Sequence, residues 1–458
     1  MLDATLLADN QKTEGDLRDL CQETVEAALA AGATAAEAFA ARRRTREVAF
    51  EKNDLNLAKA DDELQIGLRV FVGQSMAFVT TNDPASAREV ARQGVTIARV
   101  SPPDPHNGLP APEPIPAVSG LFDGAIATRE IPDLTELASR LADEAYRADA
   151  RISIDGIRLS VEEAIEAIHT SAGTHASASA TYTSGFVMGM AKEGDDVGSF
   201  TYDGAAASEW AAFEPEMLAG VRRFAEKAVG ALHPRKGRSF RGTVILPPET
   251  VGDLLVEPLL AAICADAVRK GRSPLRGKEG EQVASKLFGL RDPGTAMGSY
   301  RIAGFDREGM PVRLLDLVVG GELRTFLYDA YEARVAGRRS TGHGRGSAGG
   351  PPRLSPGLAE VLPGDRPSAE LERAAGLALI VPRFSGRVEM ATGDFSGVVK
   401  GGFLLDGGER IPVTETTIAG NLYDALKSVS AVSSDRQVLF GAHAYPTVVL
   451  EGIDVTAG

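Results

Sequence analysis

Leu64, Ile66, Leu68, Val70 and Val72 repeat every second residue, the chain breaks at Gly73-Gln74, and the alternation resumes at Met76, Phe78 and Thr80. A period of two places successive side chains on opposite faces, so this stretch reads as a β-hairpin with glycine at its turn. Helical spacing flanks it on both sides. Leu17, Leu20, Val25, Ala28 and Leu29 recur at intervals of three and four and stop near Gly32, and Pro84 to Arg99 returns to that spacing. Val48 and Phe50 alternate with charges in a further strand-like stretch.

Ser101 to Val118 holds seven prolines. Each removes a backbone donor and restrains its predecessor, so the segment reads as an extended surface connection. Leu134 to Ala148 is helical by pattern, and Arg151 to Ala191 reads as strands with small polar faces, although Val161 to Ile168 fits a helix equally well. Pro215 to Leu232 reads as a helix with proline near its first turn, and His233 to Gly237 breaks it. The second half opens with a strand, Gly242 to Leu246, and a long helix from Glu249 to about Lys270. Hairpins follow: Val312–Val319 with Leu323–Leu327, and Gly397–Leu405 with Arg410–Val413 around Gly407-Gly408. A short helix is expected at Asn421–Val429 and a last strand at Thr447–Val455. Strands mixed with long helices, without regular βαβ alternation, point to an α+β fold. Two domains are expected: an N-terminal helix and antiparallel-sheet domain, 1–235, and a strand-rich C-terminal domain with one long helix, 236–458.

Among 458 residues, 43% hydrophobic and 24% charged is ordinary for a soluble globular chain and excludes disorder as its general state. The net charge of −14 disfavours a broad nucleic-acid surface. Arg42-Arg43-Arg44 and Arg338-Arg339 are read as solvated faces. Cys21 and Cys264 are too few for a disulfide framework and read as buried apolar groups. Met1 to Asp16 is polar and no run reaches the ~20 apolar residues of a membrane span, so a cytoplasmic protein is expected.

Residues that could do chemistry are sparse. None of the six histidines forms H-x-x-x-H or H-E-x-x-H, and the nearest two, His169 and His175, stand six apart. Gly393-Asp394-Phe395-Ser396-Gly397 lacks the spacing of a nucleophile elbow, and Gly342-His343-Gly344-Arg345-Gly346 lacks the strand and helix of a dinucleotide fingerprint. The glycine-rich segment Ser340 to Pro352 reads as a mobile loop, and glycine-rich hairpins offer edges to which an extended peptide could add.

Five segments carry a resemblance: Phe305 to Pro311, Phe326 to Tyr331, Ser340 to Gly342, Thr392-Gly393-Asp394-Phe395-Ser396-Gly397, and Pro412 to Leu422 with its Thr-Ile-Ala-Gly-Asn-Leu. In this order the chain resembles the TldD/PmbA family, on its PmbA (TldE) side. The resemblance implies a heterodimeric metallopeptidase that degrades unfolded peptides or trims leader peptides. It further implies that a TldD-like partner carries the zinc on an H-E-x-x-x-H helix. Laid on this chain, that motif falls on Val256 to Ala261. Glu257 keeps the glutamate, while Val256 and Ala261 stand where histidines would be. Valine and alanine have no lone pair to give, so no zinc and no catalytic residue are expected in this chain. Peptide-facing candidates are Thr341, Gly342, Gly393, Asp394, Phe395 and Ser396. The alternative readings are a homo-oligomeric peptide-binding or modulator protein without a protease partner, and a hydrolase that uses Glu257 with His343 or His443.

Overall fold

The structure, a computed structural model, describes residues 4–52, 54–295 and 303–458; Met1 to Asp3 of the polar N-terminal stretch lie outside them. The chain is α+β. Helix α1 (Ala4–Ala30) leads into four long antiparallel strands with one short one: β1 (Ala35–Glu51), β2 (Asp54–Val72), β3 (Ser75–Thr81), β4 (Ile152–Thr170) and β5 (His175–Glu193). Their order is β3-β2-β1-β4-β5, and Thr201–Ala207 adds to β5. The hairpin read from the period-two run is β2 and β3, with Val72 opposite Ser75. The ambiguous Val161 to Ile168 is strand, paired residue by residue with β1 and β5. Strand wins because both neighbours supply ladder partners along its whole length.

The two faces of this sheet do different jobs. On one, Ala36, Ala38, Ala40, Ile66, Leu68 and Val70 pack under α1 and α2 (Ala87–Val100). Farther along the same face, Leu159, Val161 and Val187 pack under two later helices. These are α4 (Ile131–Ala148), which follows the single turn α3 (Gly124–Ala127), and α5 (Trp210–Gly230). The opposite face presents Phe39, Ala41 and Ile168 to Phe305 and Ala348 from the C-terminal half. Burial on both faces explains why Leu68, Arg69, Val70 and Phe71 are all buried in succession.

Helix α5 begins five residues before the expected Pro215, because Glu209 accepts the first helical N–H groups and Asp123 accepts the amide of Trp210 at 2.8 Å. Pro215 therefore lies inside the helix.

Among the described residues, the C-terminal half is built on a mixed sheet of 14 strands. The expected long helix from Glu249 to Lys270 is corrected into four pieces: Pro248–Val251, a π-turn at Gly252–Val256, Glu257–Ala262 and Ala265–Arg269. Pro258 cannot donate to the carbonyl four residues back, and the Glu257 amide slips to the carbonyl of Gly252. At Cys264 the backbone turns extended, and Ala265 and Ile263 bond to Leu327 instead. The first expected hairpin is shorter than read, Leu315–Val319 with Glu322–Leu323. The second divides: Asp394–Lys400 pairs with Arg383–Val388 and Thr416–Asn421, while Gly402–Asp406 turns through Gly407-Gly408 into Glu409–Thr414.

The segment 340–352 is also corrected. Its glycine content suggested a mobile loop, but His343 and Ala348 are buried and Gly344–Arg345 pairs with Arg353–Leu354. The proline-rich connection is likewise held. Arg334 donates to three of its carbonyls, those of His106, Gly108 and Leu109, at 2.7, 2.6 and 3.1 Å. Among the described residues no helix is long and apolar enough to cross a membrane.

Candidate functional site

Three arrangements in the C-terminal half involve the residues singled out by sequence, and a fourth joins the two halves. The first is the broken helix. Val256 is fully buried with Leu254, Leu255 and Leu259 in the core, Ala261 is half-buried and Glu257 is exposed. Gly252 lies against Tyr445, so closely that a β-carbon there would sit 2.9 Å from Tyr445 Cε2. Asp253 reaches solvent at its edge, but its carboxyl is pushed up to about 6, by desolvation first and then by Glu257 and Glu249. Burial, and then Glu257 and Asp253, push the Tyr445 hydroxyl up as well. Lys227 reaches this corner from α5 and binds Asp203 at 2.8 Å and Glu249 at 2.6 Å. Around the motif position the titratable groups are Asp253, Glu257 and Glu249, with Lys227 and Tyr445 beside them. Among the described residues no three or more His, Cys, Asp or Glu side chains gather as a metal site.

The second is the Thr392 to Gly397 strand. Gly393 and Phe395 are buried, whereas Asp394 and Ser396 face outward. Asn421 explains why two separate motifs occur together. Its Nδ2 donates to the Thr392 carbonyl at 2.8 Å and to Asp394 at 3.1 Å, and its Oδ1 caps the next helix by accepting from Tyr423 at 3.0 Å. The Phe384 ring stands edge-on to Phe395 and covers Gly386 and Gly397, where β-carbons would collide with it. Strand Arg383–Val388 pairs only with Asp394–Lys400 among the described residues, which leaves free its other edge, on the side away from Asp394 and Ser396.

The third surrounds His343. Its Nε2 lies 3.0 Å from Asp292, and its Nδ1 lies 2.9 Å from both the hydroxyl and the carbonyl oxygen of Thr341. Aspartate, histidine and threonine thus stand in line. Yet His343 is only 2% exposed, so no substrate reaches it. Thr341 also accepts the Tyr328 amide at 2.8 Å, and Gly342 is buried against Pro311. The peptide-facing candidates therefore fall into two groups with separate partners, and of the six only Asp394 and Ser396 are exposed. His443 accepts the Ala359 amide at 3.1 Å and stacks on the Tyr445 ring.

The fourth is a buried charge network that pattern reading did not bring out. Arg69 grips the Glu37 carboxylate with Nε and Nη2 and donates Nη1 to Glu308 at 2.8 Å; Arg307 also reaches Glu37 at 2.8 Å. The turn Asp306-Arg307-Glu308-Gly309 presents these groups. One oxygen of Asp306 accepts the amides of Glu308 and Met310, and the other that of Gly344. Burial, with Glu308 beside it, pushes Asp306 up to about 7. A signal was present in the sequence: Glu37 and Arg69 are single charges inside apolar strand stretches.

Beside this network lies a cleft of about 600 Å3 between the halves, lined by Arg69, Asp104, Lys270, Asp329 and Tyr331 among others. Tyr331 donates its hydroxyl to Asp104 at 2.8 Å. The Asp104 carboxyl lies below its usual range, held first by the His106 amide and then by that hydroxyl. Burial, and then Glu308, push Asp329 up to about 6.

Comparison with known proteins places this architecture. The family descriptions "PmbA/TldA metallopeptidase domain 1", "central domain" and "C-terminal domain" match residues 36–98, 125–232 and 239–457. The chain belongs to the TldD/PmbA family. It is 26% identical over 441 residues to the metalloprotease PmbA homolog of Haemophilus influenzae, covering 92% of each chain. A metalloprotease TldD homolog of the same organism is 28% identical over 203 residues, 43% of this chain and 42% of that one. The fold matches the crystal structure of TldE from Thermococcus kodakarensis with a TM-score of 0.87 at 20% identity, over 95% of this chain and 100% of that one.

Proposed function

We propose that this chain is the non-catalytic, TldE-like subunit of a two-chain zinc metallopeptidase acting on unfolded peptides or precursor leaders in the cytoplasm. The observation that carries the reading is at the motif position: a fully buried valine and a half-buried alanine flank an exposed Glu257. Neither aliphatic side chain can ligate a metal, and a lone glutamate does not make a zinc site. Hydrolysis would then belong to a TldD-like partner, and this chain would hold no cofactor. That Haemophilus influenzae has both a PmbA homolog and a TldD homolog supports a paired arrangement.

The contribution of this chain would be a wall of the substrate chamber. Strand Arg383–Val388, with its free edge, can accept an extended peptide through main-chain hydrogen bonds. Backbone pairing of that kind is tolerant of sequence, which suits unfolded substrates.

The test is direct. The purified chain alone is expected to hold no stoichiometric zinc and to cleave no peptide, and cleavage is expected on mixing with a TldD-like chain. Chelator-sensitive cleavage by the chain alone would overturn the proposal.

A further inference from the structure

A second cleft, of about 590 Å3, opens between residues 199–202 with the last turns of α5 on one side and the start of strand Arg383–Val388 on the other. Phe200, Tyr202 and Phe403, with Pro247, Pro382 and Pro412, give it rigid apolar walls. Its volume is within the range of ligand pockets. It lies where the strand with the free outer edge begins.

Arg383 and Lys400 stand directly opposite each other in the ladder between Arg383–Val388 and Asp394–Lys400. Residues so opposed point to the same face of a sheet. Their neighbours Phe384 and Val399 turn to the other face and pack in the core. The two cations therefore share the open face, and both line the cleft. The Arg383 guanidinium carbon lies 5.7 Å from the centre of the Phe200 ring. Burial first, and then Asp253 and Glu249, push the Tyr202 hydroxyl up, while Arg383 draws it down, which puts the arginine charge at this wall. Among the described residues neither Arg383 nor Lys400 makes an ion pair or a side-chain hydrogen bond.

Like charges directly opposed across a ladder repel, and this pair does so in a chain of net charge −14. Two of the carboxylates lining the cleft serve other cations: Glu249 holds Lys227 at 2.6 Å, and Glu372 faces Arg410 at 3.6 Å. The third, Glu226, is exposed on α5 and makes no ion pair among the described residues. The unpaired charges of the cleft are thus two cations and one anion. A strand added to the free edge sets one residue opposite Arg383. Whichever way that strand runs, the residue points to the face of Arg383 and Lys400, because pairing fixes which side chains share a face. An acidic side chain there gives Arg383 the partner it lacks. A basic one makes a third like charge in the row.

We infer that Arg383 and Lys400 select an acidic residue, aspartate or glutamate, in a peptide strand added to this edge. The inference rests on the peptide-binding edge proposed above and adds to it the side chain that the edge prefers. Acetyl-Thr-Val-Glu-Val-Thr-amide and its glutamine and lysine counterparts are titrated calorimetrically into the full-length chain. The glutamate peptide is expected to bind about three- to tenfold tighter than the glutamine one, and the lysine one weakest. The preference shrinks at about 0.5 M salt. Arg383→Gln is expected to bring the glutamate and glutamine peptides within about twofold of each other. Arg383→Lys, which keeps the charge, guards against a folding failure and is expected to retain part of the preference. Equal binding of the glutamate and glutamine peptides, or an undiminished preference when Arg383→Gln and Lys400→Gln are combined, would overturn the inference. Binding of none of the three overturns both the selection and the edge. A glutamate preference without cleavage by the reconstituted pair supports the selection and defeats the subunit reading. Cleavage without the preference does the reverse.

Discussion

Arg69 Nη1 donates to Glu308 at 2.8 Å and ties strand β2 to a turn 239 residues later in the chain. Both side chains are buried, and Glu37 on β1 completes the grip. Replacing Arg69 with methionine would leave Glu308 out of water without its cation and Glu37 with Arg307 alone. Breaking a buried pair in this way costs about 3–5 kcal/mol. A urea titration of Arg69→Met should show a loss of that order, and a loss below about 1 kcal/mol would mean that the network is not buried as described.

Asp253 predicts a pH dependence. Its folded pKa of about 6 lies above the ordinary 3.8. The folded chain therefore holds this proton more tightly than the unfolded chain, and the stability so gained is lost as pH rises from about 4 through 6. Asp253→Asn removes that decline. Because the residue reaches solvent, the gain is on the order of 1 kcal/mol at pH 8, and it vanishes near pH 4. Denaturation midpoints at the two pH values check it; an equal shift at both would refute the electrostatic cause.

Asn421 joins two sequence motifs through one side chain. Alanine there removes a helix cap and releases Thr392 and Asp394. The expected cost is about 1–2 kcal/mol, with hydrogen exchange rising first at Leu422 to Lys427. Unchanged exchange in that helix would show that the cap is dispensable.

Glu257 offers the sharpest contrast between readings. If catalysis resides in the partner, Glu257→Gln should leave cleavage by the reconstituted pair within about twofold of the parent. A fall of about a hundredfold or more, the scale of a lost general base, would return this glutamate to the chemistry.

Legibility varied with the kind of signal. The hairpin of β2 and β3 could be read because Leu64 to Val72 alternates and glycine marks the turn, whereas the polar first half of β2 from Asp54 carried no such signal. The break at Gly252 to Cys264 could not. Its apolar spacing is helical, and only the Pro258 donor deficit and the competing carbonyl of Leu327 divide it. In segment 340–352, glycine was read as freedom, whereas the buried His343 and Ala348 show it serving close packing. Thr341 and Gly393 carried the family resemblance, but what each does is local bonding, visible only when Tyr328 and Asn421 are in place.

The grip of Arg334 on the carbonyls of His106, Gly108 and Leu109 changes what a cut in the connecting segment would do. A protease that nicked the chain beyond Leu109 would sever one covalent link and leave the upstream stub clasped to the far half. The two fragments would migrate together through a sizing column and separate only in denaturant.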